Sequence, residues 1–242
     1  MKAAGAFEAR TTGLVLLHGK RRNPSDLAPL AEALRARGFV VETPEAPWSA
    51  RRLYDRTPEE ATQEFSVVVA RLQSHALKRI VIGGHSSGAA GALRYAAAHR
   101  VAALVLIAPA PVLETSRFQG YVAAQLRRAR ELVDTGEGGR PEVFDDFNSL
   151  GEAARVTMTA KRFMEYNSPD GPAAMSRAVP AIGSIPVLWV APTDDPSNEA
   201  FQKFVASRLP ASARLTKVDI PGGHMGAPLE AVKPTVDWLT RL

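Results

Sequence analysis

The 242-residue sequence contains no cysteine. That absence excludes disulfides, thiolate metal sites and a cysteine nucleophile, and it leaves the compartment open. Long apolar runs are missing as well: no stretch approaches the ~20 apolar residues that a membrane span requires. The start, Met1 to Arg10, lacks the apolar stretch of a secretory signal. A cytoplasmic protein is the expectation, although a mature form freed of an export signal would begin the same way. There is no internal repeat and no low-complexity segment. Two nucleotide-binding signatures are also absent. The dinucleotide pattern G-x-G-x-x-G is not met, because the glycines of the richest cluster fall at 83, 84, 88 and 91. A phosphate loop, G-x-x-x-x-G-K-[ST], fails because Lys20 after Gly19 is followed by Arg21.

What is present is the composition of a globular protein, 45% hydrophobic and 23% charged, at a length suited to one α/β domain. The formal charge of +5 and the pI of about 9.7 raise the question of nucleic acid. The basic residues, however, come as scattered pairs, Arg21-Arg22, Arg51-Arg52 and Arg127-Arg128, without interleaved aromatics. That layout reads as a solvated, arginine-rich surface with a mild attraction for anions, and no nucleic-acid partner is expected.

Apolar strands and amphipathic helices alternate along the chain, which predicts about six mainly parallel strands with helices on both faces. The strands are expected at 13–17, 39–41, 80–82, 103–107, 187–190 and 214–220. Thr57-Pro58-Glu59-Glu60 reads as an N-cap followed by proline at the first helical position, opening a helix to about Ser74. Between 110 and 185 the rhythm breaks. Helical patterns at 118–133 and 151–166, joined by a polar, glycine-rich stretch at 135–140, predict a helical cap over a core made of 1–109 and 186–242.

Within Arg79 to Ala98 a β-branched run enters a glycine cluster and leaves it as an alanine-rich helix. Inside lies Gly84-His85-Ser86-Ser87-Gly88, the pattern G-x-S-x-G, which marks a sharp strand-to-helix turn with an exposed serine. Ser86 is therefore the candidate nucleophile. A serine hydroxyl needs a base, and that base needs an orienting acid. Of five histidines, His75 and His99 fall at helix ends, His85 sits inside the turn, and His18 precedes the glycine after the first strand. His224, in Pro221-Gly222-Gly223-His224-Met225-Gly226 after the last strand, is the candidate base. The preceding strand leads into Asp194-Asp195, either of which suits the acid in the chain order Ser…Asp…His.

Four segments in this order, Leu17-His18-Gly19-Lys20, Gly84 to Gly88, Thr193-Asp194-Asp195 and Gly223-His224, resemble the α/β-hydrolase superfamily over nearly the whole chain. The resemblance implies an α/β-hydrolase fold without the leading antiparallel hairpin of larger members. In such proteins the acid commonly lies three residues after a glycine. Pro192 takes that glycine's place here, which is a departure and points to Asp195. The resemblance also implies an oxyanion hole made of the Lys20 and Ser87 backbone amides. A serine carboxylesterase acting on a small-molecule ester without metal or organic cofactor is the implied activity. Thioester, lactone, amide, C–C bond or peracid chemistry on the same triad, and a non-catalytic ligand-binding protein, are the alternatives. Lys20-Arg21-Arg22 at the oxyanion turn suggests tolerance of an anionic substrate group. Trp48 and Tyr54 are candidate pocket walls, with loop packing as their equal alternative. Phe118, Tyr121, Phe163 and Met164 would face an acyl chain or, as helical spacing favours, the core. Oligomeric state is not written in the sequence.

Overall fold

The computed structural model describes residues 8–75 and 77–242. Residues 1–7, on which the reading of the chain's start mainly rests, lie outside the described residues. Strand and helix alternate as β1 (Thr12–Leu17), α1 (Ala28–Ala36), β2 (Val40–Glu42), α2 (Pro58–Ser74), β3 (Arg79–His85), α3 (Ser87–Ala98) and β4 (Ala103–Ile107). An inserted segment follows, with α4 (Ser116–Asp134), β5 (Pro141–Phe147), β6 (Ala153–Thr159), α5 (Ala160–Asn167) and α6 (Met175–Ala178). The alternation resumes with β7 (Pro186–Pro192), α7 (Ser197–Phe204), β8 (Arg214–Ile220), α8 (Ala227–Glu230) and α9 (Val232–Leu239).

Local signals explain several boundaries. Thr57 caps α2 through the Glu60 N–H while the Glu60 carboxylate accepts from the Thr57 N–H, a reciprocal capping box. Gly38, at φ +89, ends α1 in a conformation that a side chain would strain. Six strands form one sheet in the order β2-β1-β3-β4-β7-β8, every neighbouring pair parallel. Alternate residues of β1 serve two cores. Val15 and Leu17 join α2, α3 and the inserted segment, whereas Leu14 and Leu16 join α1, α8 and α9. Burial on both faces is what apolar strands of a parallel sheet require.

The strand order has a direct consequence for function. The connection leaving β1 runs to β2 on one side, and the connection leaving β3 runs to β4 on the other. The chain thus diverges beyond the C-terminal ends of β1 and β3, the crevice where open α/β sheets bind ligands.

The inserted segment corrects one expectation. α4 fills the predicted 118–133, but the helix predicted at 151–166 is helical only from Ala160. Residues 153–159 pair antiparallel with β5, placing Phe144 opposite Val156 and Asp146 opposite Ala154. Along this hairpin Phe144, Asp146, Val156 and Met158 are buried between more exposed neighbours, so the pattern has period two. Asn148 fixes the turn, its side-chain oxygen accepting from the N–H groups of Leu150 at 3.0 Å and Glu152 at 2.9 Å. Among the described residues no helix is long and apolar enough to cross a membrane.

Candidate active site

β3 ends at His85 and α3 begins at Ser87, so Ser86 alone makes the turn, at φ 56° and ψ −121°. A non-glycine residue held there stores about 1–3 kcal/mol of backbone strain. The flanking glycines show why the turn closes only with this sequence. A Cβ on Gly88 would lie 2.0 Å from the Leu17 carbonyl oxygen, and one on Gly84 would lie 2.4 Å from the Gly88 backbone. Both contacts are with backbone, which cannot swing aside. All five non-glycine residues with positive φ among those described (Arg21, Leu53, Tyr54, Ser86 and Ala108) lie in the loops after β1 to β4. Strain is concentrated at the edge where the site forms.

Three loops bring three polar side chains together there. His224, carried by the loop after β8, places Nε2 at 2.9 Å from the Ser86 Oγ. Its Nδ1 lies 2.6 Å from Asp195 Oδ2, after β7. The other Asp195 oxygen accepts from the Ser197 N–H at 2.8 Å. Ser86, Asp195 and His224 are all buried, at 7, 4 and 7% exposure. Burial alone would raise the Asp195 carboxyl. The hydrogen bond and charge of His224 and the Ser197 amide outweigh it and hold the carboxyl below the usual carboxylate range. Asp194 is exposed and turns toward Thr193 Oγ1, so of the two candidates it is Asp195 that meets the imidazole.

Three of the four remaining histidines have other partners. His18 donates from Nδ1 to the Gly19 carbonyl at 2.9 Å and accepts the Ala46 N–H on Nε2 at 3.0 Å. His99 stacks on Tyr95 at the end of α3. His85, absent from the sequence-derived site, donates from Nε2 to the His224 carbonyl at 3.0 Å and packs against the His224 ring. Burial, with the neighbouring His224 adding to it, pushes His85 down to about 3. It is a neutral anchor for the histidine loop.

The basic turn after β1 departs from expectation. Lys20 Nζ donates to Asp146 Oδ1 at 2.7 Å and to the Phe147 carbonyl at 2.9 Å, with Asn167 Oδ1 at 3.4 Å. Tyr54 donates its hydroxyl to the other Asp146 oxygen at 2.8 Å. Arg21 bonds the Asp146 carbonyl, and Arg22 pairs with Asp26. All three cations of Lys20-Arg21-Arg22 thus have protein acceptors, those of Lys20 and Arg21 on the buried Asp146 and that of Arg22 in an exposed pair with Asp26. Asp146 and Asn167 were invisible as partners because they lie 126 and 147 residues away in sequence. The alternation of β5 was the available signal for the first.

A narrow, mainly apolar pocket opens beside Lys20 and Ser87 and runs between α2 and α3. Trp48, Ala61, Phe65, Leu113 and Tyr166 wall it. Trp48 serves both roles considered for it, since its Nε1 also donates to the His18 carbonyl at 2.8 Å. Tyr54 lines the pocket as well. Phe118, Tyr121, Phe163 and Met164 pack in or against the core and do not line it. Among the described residues no group of three or more His, Cys, Asp and Glu side chains is arranged to hold a metal ion.

Sequence and structure comparisons agree on the fold. The profile of the alpha/beta hydrolase family matches residues 14–237. No curated protein is similar enough in sequence to count as a relative. Among solved structures, DcsB in complex with its substrate analogue superposes with a TM-score of 0.70 at 18% identity, covering 97% of this chain and 91% of its own. A structure from LipS and LipT, two metagenome-derived lipolytic enzymes, gives 0.68 at 14% identity, covering 96% and 94%. Est1E from Butyrivibrio proteoclasticus gives 0.62 at 16% identity, covering 96% and 87%. At such identities the likeness is one of fold.

Proposed function

The chain belongs to the alpha/beta hydrolase family, and from that premise we propose that it is a serine hydrolase cleaving carboxylic esters through an acyl-enzyme on Ser86. One observation carries the reading: the unbroken chain of hydrogen bonds from Ser86 Oγ through His224 to Asp195, at 2.9 and 2.6 Å. His224 Nε2 takes the hydroxyl proton as Oγ attacks the ester carbonyl, and returns it to the departing alcohol. Asp195 accepts the Nδ1–H, which fixes the tautomer that leaves Nε2 free as a base. Water then attacks the acyl-enzyme with help from the same imidazole and releases the acid.

The negative oxygen of each tetrahedral intermediate is received by the Lys20 and Ser87 N–H groups. Ser87 opens α3, so its amide has no partner within the helix and adds the positive end of the helix dipole. Each such donor typically lowers the barrier by about 2.7–4 kcal/mol, because it meets a charge that exists only beyond the ground state. The lipolytic enzymes LipS and LipT among the fold neighbours are consistent with ester chemistry.

The test is intact mass after incubation with a fluorophosphonate. One covalent adduct on the parent and none on Ser86→Ala supports the reading. A folded parent that takes no adduct, and that turns over no ester in a panel graded by chain length, overturns it.

A further inference from the structure

The apolar pocket has a defined far end. Ser87, Ala90, Gly91 and Arg94 all line it, a spacing of three, one and three residues that puts them on one face of α3. The pocket therefore runs along the helix, with small side chains at mid-depth and a guanidinium at the bottom. Thr62 and Arg94 line this pocket and also a second, outer groove formed with Glu59, Gln63, Pro172 and Arg177. Arg94 stands between the two.

It is held firmly in that position. Nε donates to the Pro58 carbonyl at 3.2 Å, one terminal nitrogen donates to the Pro172 carbonyl, and the other pairs with the Glu59 carboxylate. The guanidinium thus ties the first turn of α2 to the segment after α5. Its charge is answered by Glu59, so a substrate carboxylate would have to compete for it.

The pocket also has a chemical sense. A leaving alcohol must collect its proton from His224, so it departs on the imidazole side. Neither Ser86 nor any residue of the His224 loop, 221–226, lines the pocket, which begins next to the proposed nucleophile at Lys20 and Ser87. The acyl part is what enters it. The seven residue-to-residue steps of helix from Ser87 to Arg94 rise about 10 Å. An extended chain covers roughly 1.2 Å per bond, so that depth holds about six to eight carbons.

Building on the ester-hydrolase reading, we infer that Arg94 is the specificity-determining stop of the acyl pocket, closing it against the outer groove and limiting it to uncharged chains of about six to eight carbons. Acyl length is read with p-nitrophenyl esters from acetyl to myristoyl on the parent, Arg94→Ala and Ala90→Leu, each also labelled with fluorophosphonate and melted. Arg94→Ala opens the end, and kcat/KM for the decanoyl and dodecanoyl esters should rise at least about 10-fold relative to hexanoyl, the scale of one or two methylenes gained. Ala90→Leu fills the middle and should move the optimum the other way. Should Arg94→Ala not fold, the Ala90→Leu profile carries the test. Profiles coincident with the parent, or an ω-carboxylated acyl ester preferred over its neutral counterpart, overturn the stop while labelling at Ser86 persists. Loss of parent labelling and turnover instead overturns the reading beneath it.

Discussion

Replacing Asp146 by asparagine removes the carboxylate that faces a buried ammonium at the proposed oxyanion turn. The Asp146 side chain is 0% exposed and that of Lys20 7%. Burial lowers the Lys20 pKa, and Asp146 is what works against it, through its charge and its hydrogen bond. In the variant the Phe147 carbonyl and the Asn167 side chain remain, but among the described residues no other opposite charge lies within direct contact. Breaking a buried ion pair from one side typically costs about 3–5 kcal/mol, because the remaining charge is stranded. At about 2–4 °C per kcal/mol for a chain of this size, Tm should fall by roughly 6–20 °C, toward the lower end because asparagine keeps one acceptor. The sign of the pH dependence follows. With Asp146 gone the folded Lys20 pKa drops further, so between it and the unfolded value the unfolded chain binds more protons. Stability then rises with pH, and the deficit against the parent shrinks as the solution becomes alkaline. A double cycle of Lys20→Met and Asp146→Leu should be less damaging than the sum of its singles by about 1–3 kcal/mol. The assay is thermal melting from pH 6 to 10. A Tm within 2 °C of the parent at neutral pH, or strictly additive singles, would refute the reasoning.

Other outcomes follow from the same geometry. Asp195→Asn should lower kcat by about 10⁴-fold, as loss of the orienting carboxylate does in triads of this kind, while Asp194→Asn stays within a few-fold; equal effects in steady-state kinetics would contradict the assignment. Gly88→Ala places a methyl against the Leu17 carbonyl, and it should abolish labelling of Ser86 or soluble expression; a normally active variant would mean the turn is looser than described. His85 is held neutral down to about 3, so the unfolded chain takes up a proton near the ordinary histidine value that the folded chain refuses. Stability from this group is complete above that value and declines by about 1.4 kcal/mol per pH unit below it. His85→Gln keeps a donor for the His224 carbonyl and should show a smaller fall in Tm between pH 7 and 4 than the parent.

The sheet was legible because its signals are local. The inner strands of the parallel sheet are short apolar runs closed by glycine or proline, the edge strand β8 is a mixed polar and apolar run that ends at Pro221, and the six lie where period and punctuation put them. Ser86 and His224 were legible for a related reason: a strained turn and a glycine-flanked loop demand particular residues at fixed spacing. Asp194 and Asp195 were not separable by sequence, since adjacent residues at a strand end differ only in which way the turn aims them. The hairpin at 141–159 was missed although Val156 and Met158 are two apart, because two buried apolar positions are too few to set a strand against a helix. What decides it is the partner strand, which no local window contains.

That distinction bears on how the site is held. Ser86, His224 and Asp195 come from loops at the ends of β3, β8 and β7, each fixed by the sheet that positions it. The amide proposed to meet the oxyanion is different, because the Lys20 side chain is anchored by Asp146 and Phe147 of the hairpin and by Asn167 of α5. Tyr54, in left-handed backbone beside Leu53, reaches the same carboxylate from the loop after β2. Three segments distant in sequence therefore converge on one buried charge directly behind the turn. The Arg94 guanidinium repeats the arrangement at the other end of the pocket, tying α2 to the same inserted segment. The inserted segment thus braces the turn at one end of the pocket and the floor at the other. A change in its packing should therefore register in acyl selectivity and in oxyanion stabilisation together, while the hydrogen bonds of Ser86, His224 and Asp195 stay intact.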